Sequence, residues 1–348
     1  MNNLEKLVRN NILKLKPYTS ARSSHLNGML LDANENSFGS VIENNLELNR
    51  YPDPSQIKLR EAIGDYLDVD ASKIFCGVGS DEIIDLLVRI FCEPCQDEVI
   101  VFEPTYGMYN VVCDINNVSV NSLPLTKDFQ IDLNAFKEFP KENCKLVFFC
   151  SPNNPTGNLL RKEDIVSVAE NFNGIVVVDQ AYVDFADEKE LLAELSDIQN
   201  LVLIRTFSKA WGLAGARFGY SISDEFIVKI LMKVKAPYTI NKLTESVILQ
   251  AISKSGIKDE FLKLIESEKN RLIEELENIE LVREVYATDA NFILFKVDNA
   301  DEVYNFLALK NIIIRNRSNQ PGLDGCLRVT VGTKEENDKF INELKNIV

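Results

Sequence analysis

The strongest constraint on this chain is a set of apolar runs between Ile74 and Arg205. They are Ile74–Cys76, Val99–Phe102, Leu146–Cys150, Ile175–Val178 and Leu201–Ile204, and polar, helix-patterned stretches separate them. A strand with one wet face alternates apolar and polar residues, whereas a near-continuous apolar run suits a strand buried on both faces. Strands alternating with helices imply right-handed crossovers and a mainly parallel sheet, the α/β class. A helix is predicted to start at Asp53, with Asp53 as cap, Pro54 in the first turn, and Leu59, Ile63 and Tyr66 at helical spacing. After about Tyr238 the texture changes. Phe261, Ile265, Leu272, Leu276 and Ile279 predict one long amphipathic helix, and shorter strands are predicted at Phe292–Phe295, Ile312–Ile314 and Cys326–Val331. The expected organisation is a large domain over 39–238 and a smaller α+β domain over 239–348. An N-terminal arm, 1–38, is expected to pack with the smaller domain.

Open α/β sheets bind ligands at the carboxyl ends of their strands, so the residues after each run matter most. In order these are Gly77-Val78-Gly79-Ser80-Asp81-Glu82, Glu103-Pro104-Thr105-Tyr106, Ser151-Pro152-Asn153-Asn154, Asp179-Gln180-Ala181-Tyr182 and Arg205-Thr206-Phe207-Ser208-Lys209. The first resembles half of a dinucleotide fingerprint, but Glu82 stands where the third glycine belongs. A single-phosphate cup at a helix start is the better reading.

Taken together, these groups are the parts that pyridoxal 5′-phosphate requires. Lys209 offers an amine for its aldehyde. Asp179 offers a carboxylate that keeps the pyridine nitrogen protonated, which strengthens the ring as an electron sink. Asn154 and Tyr182 can donate to the ring oxygen, and Tyr106 can face the ring. Gly79, Ser80, Asp81, Ser208 and Arg217 suit the phosphate.

The segments Ser151-Pro152-Asn153-Asn154-Pro155-Thr156-Gly157, Asp179 with Tyr182, and Ser208-Lys209 with Arg217 resemble the fold type I PLP-dependent aminotransferases. Over nearly its whole length the chain is similar to the histidinol-phosphate aminotransferase family within that group. Lys16-Pro17-Tyr18, Asp32-Ala33-Asn34-Glu35-Asn36, Arg50-Tyr51-Pro52-Asp53-Pro54 and the C-terminal Cys326-Leu327-Arg328-Val329-Thr330-Val331-Gly332-Thr333 carry that likeness. Gln180 departs from it, since the family commonly has glutamate there; Asp179 is untouched. The resemblance implies transamination between L-histidinol phosphate and 2-oxoglutarate, with Lys209, Asp179 and Tyr182 catalytic. It implies Arg328 and Arg315, with Tyr18, Asn154 and Tyr51, at the substrate. It also implies a homodimer in which Tyr51 reaches the neighbouring subunit's cofactor. The same parts would serve an aromatic aminotransferase, a threonine-phosphate decarboxylase-like lyase or a non-catalytic PLP-binding regulator.

Composition narrows the chemistry further. There is one histidine, His25, so multi-histidine metal sites are excluded and no metal is expected. The proton carrier must then be a lysine, a tyrosine or a carboxylate. The net charge of −15 disfavours nucleic acid and anionic membranes, and it requires specific arginines to overcome the background for any anionic substrate. No apolar run approaches the length of a membrane span, and Glu5, Lys6 and Arg9 interrupt the N-terminal pattern. Seven cysteines, several inside apolar runs, suit a reducing cytoplasm. Cys92 and Cys95 form a lone C-x-x-C, read as structural with a redox role as the alternative. Arg328 lies inside an expected strand, where it needs a partner: a substrate anion or a structural carboxylate.

Overall fold

The computed structural model describes residues 3–20, 22, 28–43, 45–186 and 191–347. All five apolar runs are strands: β1 (Ile74–Gly77), β2 (Glu98–Glu103), β4 (Cys144–Cys150), β5 (Ile175–Asp179) and β6 (Leu201–Thr206). With β3 (Ser119–Pro124) and β7 (Gly219–Ser223) they form a seven-stranded sheet ordered β1-β7-β6-β5-β4-β2-β3. The strands from β3 to β6 are mutually parallel, and β7 runs antiparallel to both of its neighbours.

Period-two alternation divides each central strand between two cores. Leu146, Phe148, Ile175, Val177, Val202 and Ile204 pack on one face with Ile83, Ile84 and Leu87 of the helix Gly79–Phe91. Val147, Phe149, Val176, Val178, Leu201 and Leu203 pack on the other with Ile165 and Val168 of the helix Lys162–Asn171. Burial on both faces is why these runs contain so few polar residues.

A second sheet, β8 (Val282–Val285), β9 (Phe292–Val297), β10 (Arg315–Asn316) and β11 (Cys326–Thr330), is antiparallel in the order β10-β11-β9-β8. It has its own core, in which Leu272 and Leu276 of the helix Ser255–Glu277 meet Ile293, Phe295, Leu307 and Phe340.

Several expectations change. The second helix of the chain starts at Ile57 rather than Asp53, because Gln56 adopts a left-handed conformation (φ 56°). Asp53 still organises the approach, accepting hydrogen bonds from the amides of Ser55 (2.8 Å) and Ile57 (3.0 Å). Phe261 lies on the exposed face of its helix, while Lys258 is buried there instead. The strand expected at Ile312–Ile314 begins three residues later, as β10. The N-terminal residues pack with the large sheet rather than the small one. Leu4 and Val8 join its core, and the Arg9 amide donates to Ile90 (3.0 Å). His25 lies outside the described residues. Among the described residues no helix is long and apolar enough to cross a membrane.

Candidate active site

Parallel strands β4, β5 and β6 end side by side, so the loops after them open on one rim. A cavity there brings together Ser80, Asp81, Tyr106, Asn154, Asp179, Tyr182, Ser208, Lys209 and Arg217, nine residues expected from sequence. Gly79 stands directly behind Arg217.

Asp179 is buried as the last residue of β5. Its Oδ1 accepts from the Ala181 amide and its Oδ2 from the Tyr109 hydroxyl, both at 3.1 Å. Burial pushes its pKa up to about 6, while the two hydrogen bonds oppose that rise. Tyr109 is fully buried and stacks on Phe148 (4.9 Å between centroids), so the donor is fixed in place.

Lys209 follows β6 and is exposed into the cavity, with Nζ 5.4 Å from the centre of the Tyr182 ring. Partial desolvation lowers its pKa, Arg328 lowers it further, and Asp179 and Asp81 oppose both. Desolvation rather than any single neighbour dominates, and it favours the neutral amine that nucleophilic chemistry uses. Tyr182 is buried; its phenol is held well above its usual range, first by burial, and remains a donor. Asn154 Nδ2 lies 3.4 Å from the Tyr182 hydroxyl.

At the other end of the cavity the helix Gly79–Phe91 starts with no side-chain cap, which leaves amides free for an anion. Gly79 has φ +76°, and a Cβ there would lie 2.8 Å from Arg217 Nη2. A Cβ on Gly219 would lie 2.5 Å from the Ser80 amide nitrogen. Both glycines are therefore required for the backbone and guanidinium to close this cup. The donor set fits PLP: an amine, a buried carboxylate and an anion cradle share one cavity.

The second sheet contributes Arg328, from β11. Its Nη1 donates to Asn154 Oδ1, and its guanidinium lies over the Phe292 ring at 4.9 Å. Burial, then Arg317, lowers its pKa to about 10. Arg315 is its register partner across β10 and β11, but Arg315 is exposed. Tyr18 and Tyr51 stand outside the cavity. Tyr18 is exposed beside Pro17, Asp53 and Lys235, and Tyr51 stacks on Tyr238 at 4.4 Å with half its surface open.

Sequence reasoning did not single out Tyr109, Thr206, Phe292 or Arg317. Tyr109 lies one helical turn after Tyr106, and Arg317 two residues after Arg315; those spacings were the available signals. Gln180 is buried, and its Oε1 accepts from Nε of the equally buried Arg205 (3.0 Å). All seven cysteines are free; Cys92 is buried and Cys95 exposed.

The family model for aminotransferase class I and II matches residues 27–344. A histidinol-phosphate aminotransferase of Cytophaga hutchinsonii is 44% identical over 98% of this chain and 98% of its own length. The crystal structure of the histidinol-phosphate aminotransferase from Clostridium acetobutylicum superposes with a TM-score of 0.80 at 27% identity, covering 86% of this chain and 91% of that one. The histidinol-phosphate aminotransferase of Sinorhizobium meliloti, solved in complex with pyridoxal-5′-phosphate, shares the fold with a TM-score of 0.77 at 22% identity, over 90% and 89% of the two chains. With likeness running through nearly every element that builds the rim, the chain belongs to the class I and II aminotransferases, in the histidinol-phosphate aminotransferase family.

Proposed function

We propose that this chain transfers an amino group between L-histidinol phosphate and 2-oxoglutarate, giving imidazole-acetol phosphate and glutamate, in histidine biosynthesis. The observation that carries this reading is the convergence of Lys209, Asp179 and the Gly79–Arg217 cradle in one cavity that Arg328 reaches from the second sheet.

PLP bound there supplies an electron sink for the charge that develops at the substrate Cα. Lys209 would hold the cofactor at its aldehyde carbon. Its Nζ, whose pKa is lowered first by desolvation, is placed to carry the proton removed from Cα. Asp179 would hold the protonated pyridine nitrogen, and Tyr109 and Ala181 keep its carboxylate oriented. Asn154 and Tyr182 would hold the ring oxygen, with Tyr106 beside the ring, and the amides of Gly79, Ser80 and Asp81, with Ser208 and Arg217, would hold the phosphate. Arg328 takes the substrate anion, with Arg315, Tyr18, Asn154 and Tyr51 as its helpers.

The working unit is a homodimer in which Tyr51 completes the neighbouring site. Two features support this: Tyr51 is half exposed on its stack with Tyr238, and Phe38, Val41 and Ile42 stand bare in the adjoining segment. Residues 39–238 are assigned to the cofactor-holding unit and 239–348 to the second; a separate core supports the second unit from about Leu272 onward, whereas Ile240 and Ile248 pack with Leu59, Ile63 and Phe207 of the first. Seven free cysteines suit the reducing cytoplasm.

The test is an absorption spectrum of the PLP-loaded protein during addition of histidinol phosphate without an acceptor. The band of the lysine-bound cofactor should give way to that of the aminated cofactor. A loaded protein that ignores histidinol phosphate but responds to an aromatic amino acid, or that releases CO₂, overturns the assignment.

A further inference from the structure

In this acidic chain most arginines are neutralised. Arg9 pairs with Glu93, Arg22 with Asp32 and Glu35, Arg271 with Glu268 and Asp338, and Arg283 with Asp298. The corner made by β10 and β11 differs. Arg315, Arg317 and Arg328 gather there, and among the described residues none has a carboxylate within ion-pair distance. The backbone pairing continues past β10, since the Arg317 amide donates to Cys326 (2.9 Å).

Two details separate Arg317 from Arg315. Arg315 is exposed, whereas Arg317 is half-buried with its Nε shielded and without a partner. The Nε of Arg328 is in the same condition, as is Ser318 Oγ, on the residue after Arg317. Shielded donors without partners are costly unless a ligand satisfies them. Both Arg328 and Arg317 also act electrostatically on the Tyr182 hydroxyl, which borders the Lys209 cavity. Arg328 reaches the site through Asn154, and the charge of Arg317 bears on both Arg328 and the Tyr182 hydroxyl.

We propose that Arg317 and Arg328 together form a dianion subsite, with Arg317 the residue that selects a phosphate-bearing amino donor over a carboxylate-bearing one. This inference rests on the function proposed above and adds a specificity residue to it. One guanidinium fork satisfies a carboxylate, but a phosphate dianion carries a second charge and a third terminal oxygen. Histidinol phosphate carries a CH₂–O–phosphate group where an amino acid carries its α-carboxylate. The anion therefore sits farther from Cα, beyond Arg328, and a second cation is needed there.

The test uses the PLP-loaded protein, whose cofactor cradle is already filled, and the variants Arg317→Gln and Arg317→Lys. Inorganic phosphate binding is measured by calorimetry, and KM is measured for histidinol phosphate and for 2-oxoglutarate. Arg317→Gln should weaken phosphate binding about tenfold or more, the loss of one charge-assisted contact. It should raise KM for histidinol phosphate by a similar factor more than KM for 2-oxoglutarate, and Arg317→Lys should restore part of both. Equal changes for the two substrates, or unchanged phosphate binding, overturn the proposal. So does a wild-type holoenzyme that binds no phosphate. If the wild type does not turn over histidinol phosphate, the functional reading fails, and the calorimetry still decides the role of Arg317.

Discussion

Asp179 and Arg328 are both charged groups withdrawn from water, and they are housed differently. Asp179 closes a parallel strand, with a tyrosine and an amide aimed at its two oxygens and Lys209 across the cavity. Arg328 lies on an antiparallel strand with two other arginines for neighbours, an amide oxygen for one of its nitrogens and nothing for its Nε. The rim of the large sheet is internally balanced, while the arginine corner is left in surplus. A balanced group acts on a ligand that stays, because its geometry must persist between turnovers. A surplus one acts on ligands that come and go, because each arrival supplies the missing charge.

Breaking the rim should do the most damage. Lys209→Ala removes both nucleophile and proton carrier, and turnover should fall by about 10⁴-fold or more with the fold intact by circular dichroism. Asp179→Asn should come next, with kcat down by roughly 10²-fold or more. Asp179 also gives the rim a pH signature. Its folded pKa of about 6 means the carboxylate is ionised above that value and neutral below it. Only the ionised form accepts from a protonated pyridine nitrogen, so cofactor uptake by cofactor-free protein should weaken as pH falls through 6. Asp179→Asn should lack that inflection; an unchanged profile would separate Asp179 from the ring nitrogen.

Arg328→Ala tests the other side. Activity should drop by about 10- to 100-fold through KM, with PLP retention nearly unchanged. Equal loss of both would erase the distinction between resident and passing ligands. The smallest effect belongs to Gln180→Glu. It sets a carboxylate against Arg205, whose Nη2 is also buried without a partner. Chemical denaturation should show a gain of about 1 kcal/mol at neutral pH, the difference between a charge-assisted and a fully ionic contact.

The rim was readable from sequence because strands buried on both faces leave unbroken apolar runs, whose ends fall within two residues of the strand ends. The strands that escaped detection lack that mark. β3 is an edge strand in which Leu123 alone is buried among Ser, Val, Asn and Pro, and β7 is built from Gly219, Ser221 and Ser223 around two apolar residues. Their positions are set by what they pack against. Gly219 is needed where the Ser80 amide presses close, which no local propensity encodes. The second sheet was harder for the same reason: β10 spans two residues, its pairing sets Arg315 opposite Arg328, and only the packing around it leaves Arg315 exposed while Arg317 is half-buried. Tyr18 and Tyr51 illustrate a different limit, since motif likeness assigns them to a site that a single subunit does not bring them to.

The reversal of direction at β7 has a practical consequence. Because β6 and β7 are antiparallel neighbours, residues 207–218 form one connection folded back across the rim, with Ser208 and Lys209 on its outgoing arm and Arg217 on its return. A ligand held at both Lys209 and Arg217 would tie the two arms together. Trp211, the only tryptophan of the chain, lies inside the segment, stacked on Phe207 at 4.5 Å. The fluorescence of Trp211 should therefore change as the site is filled.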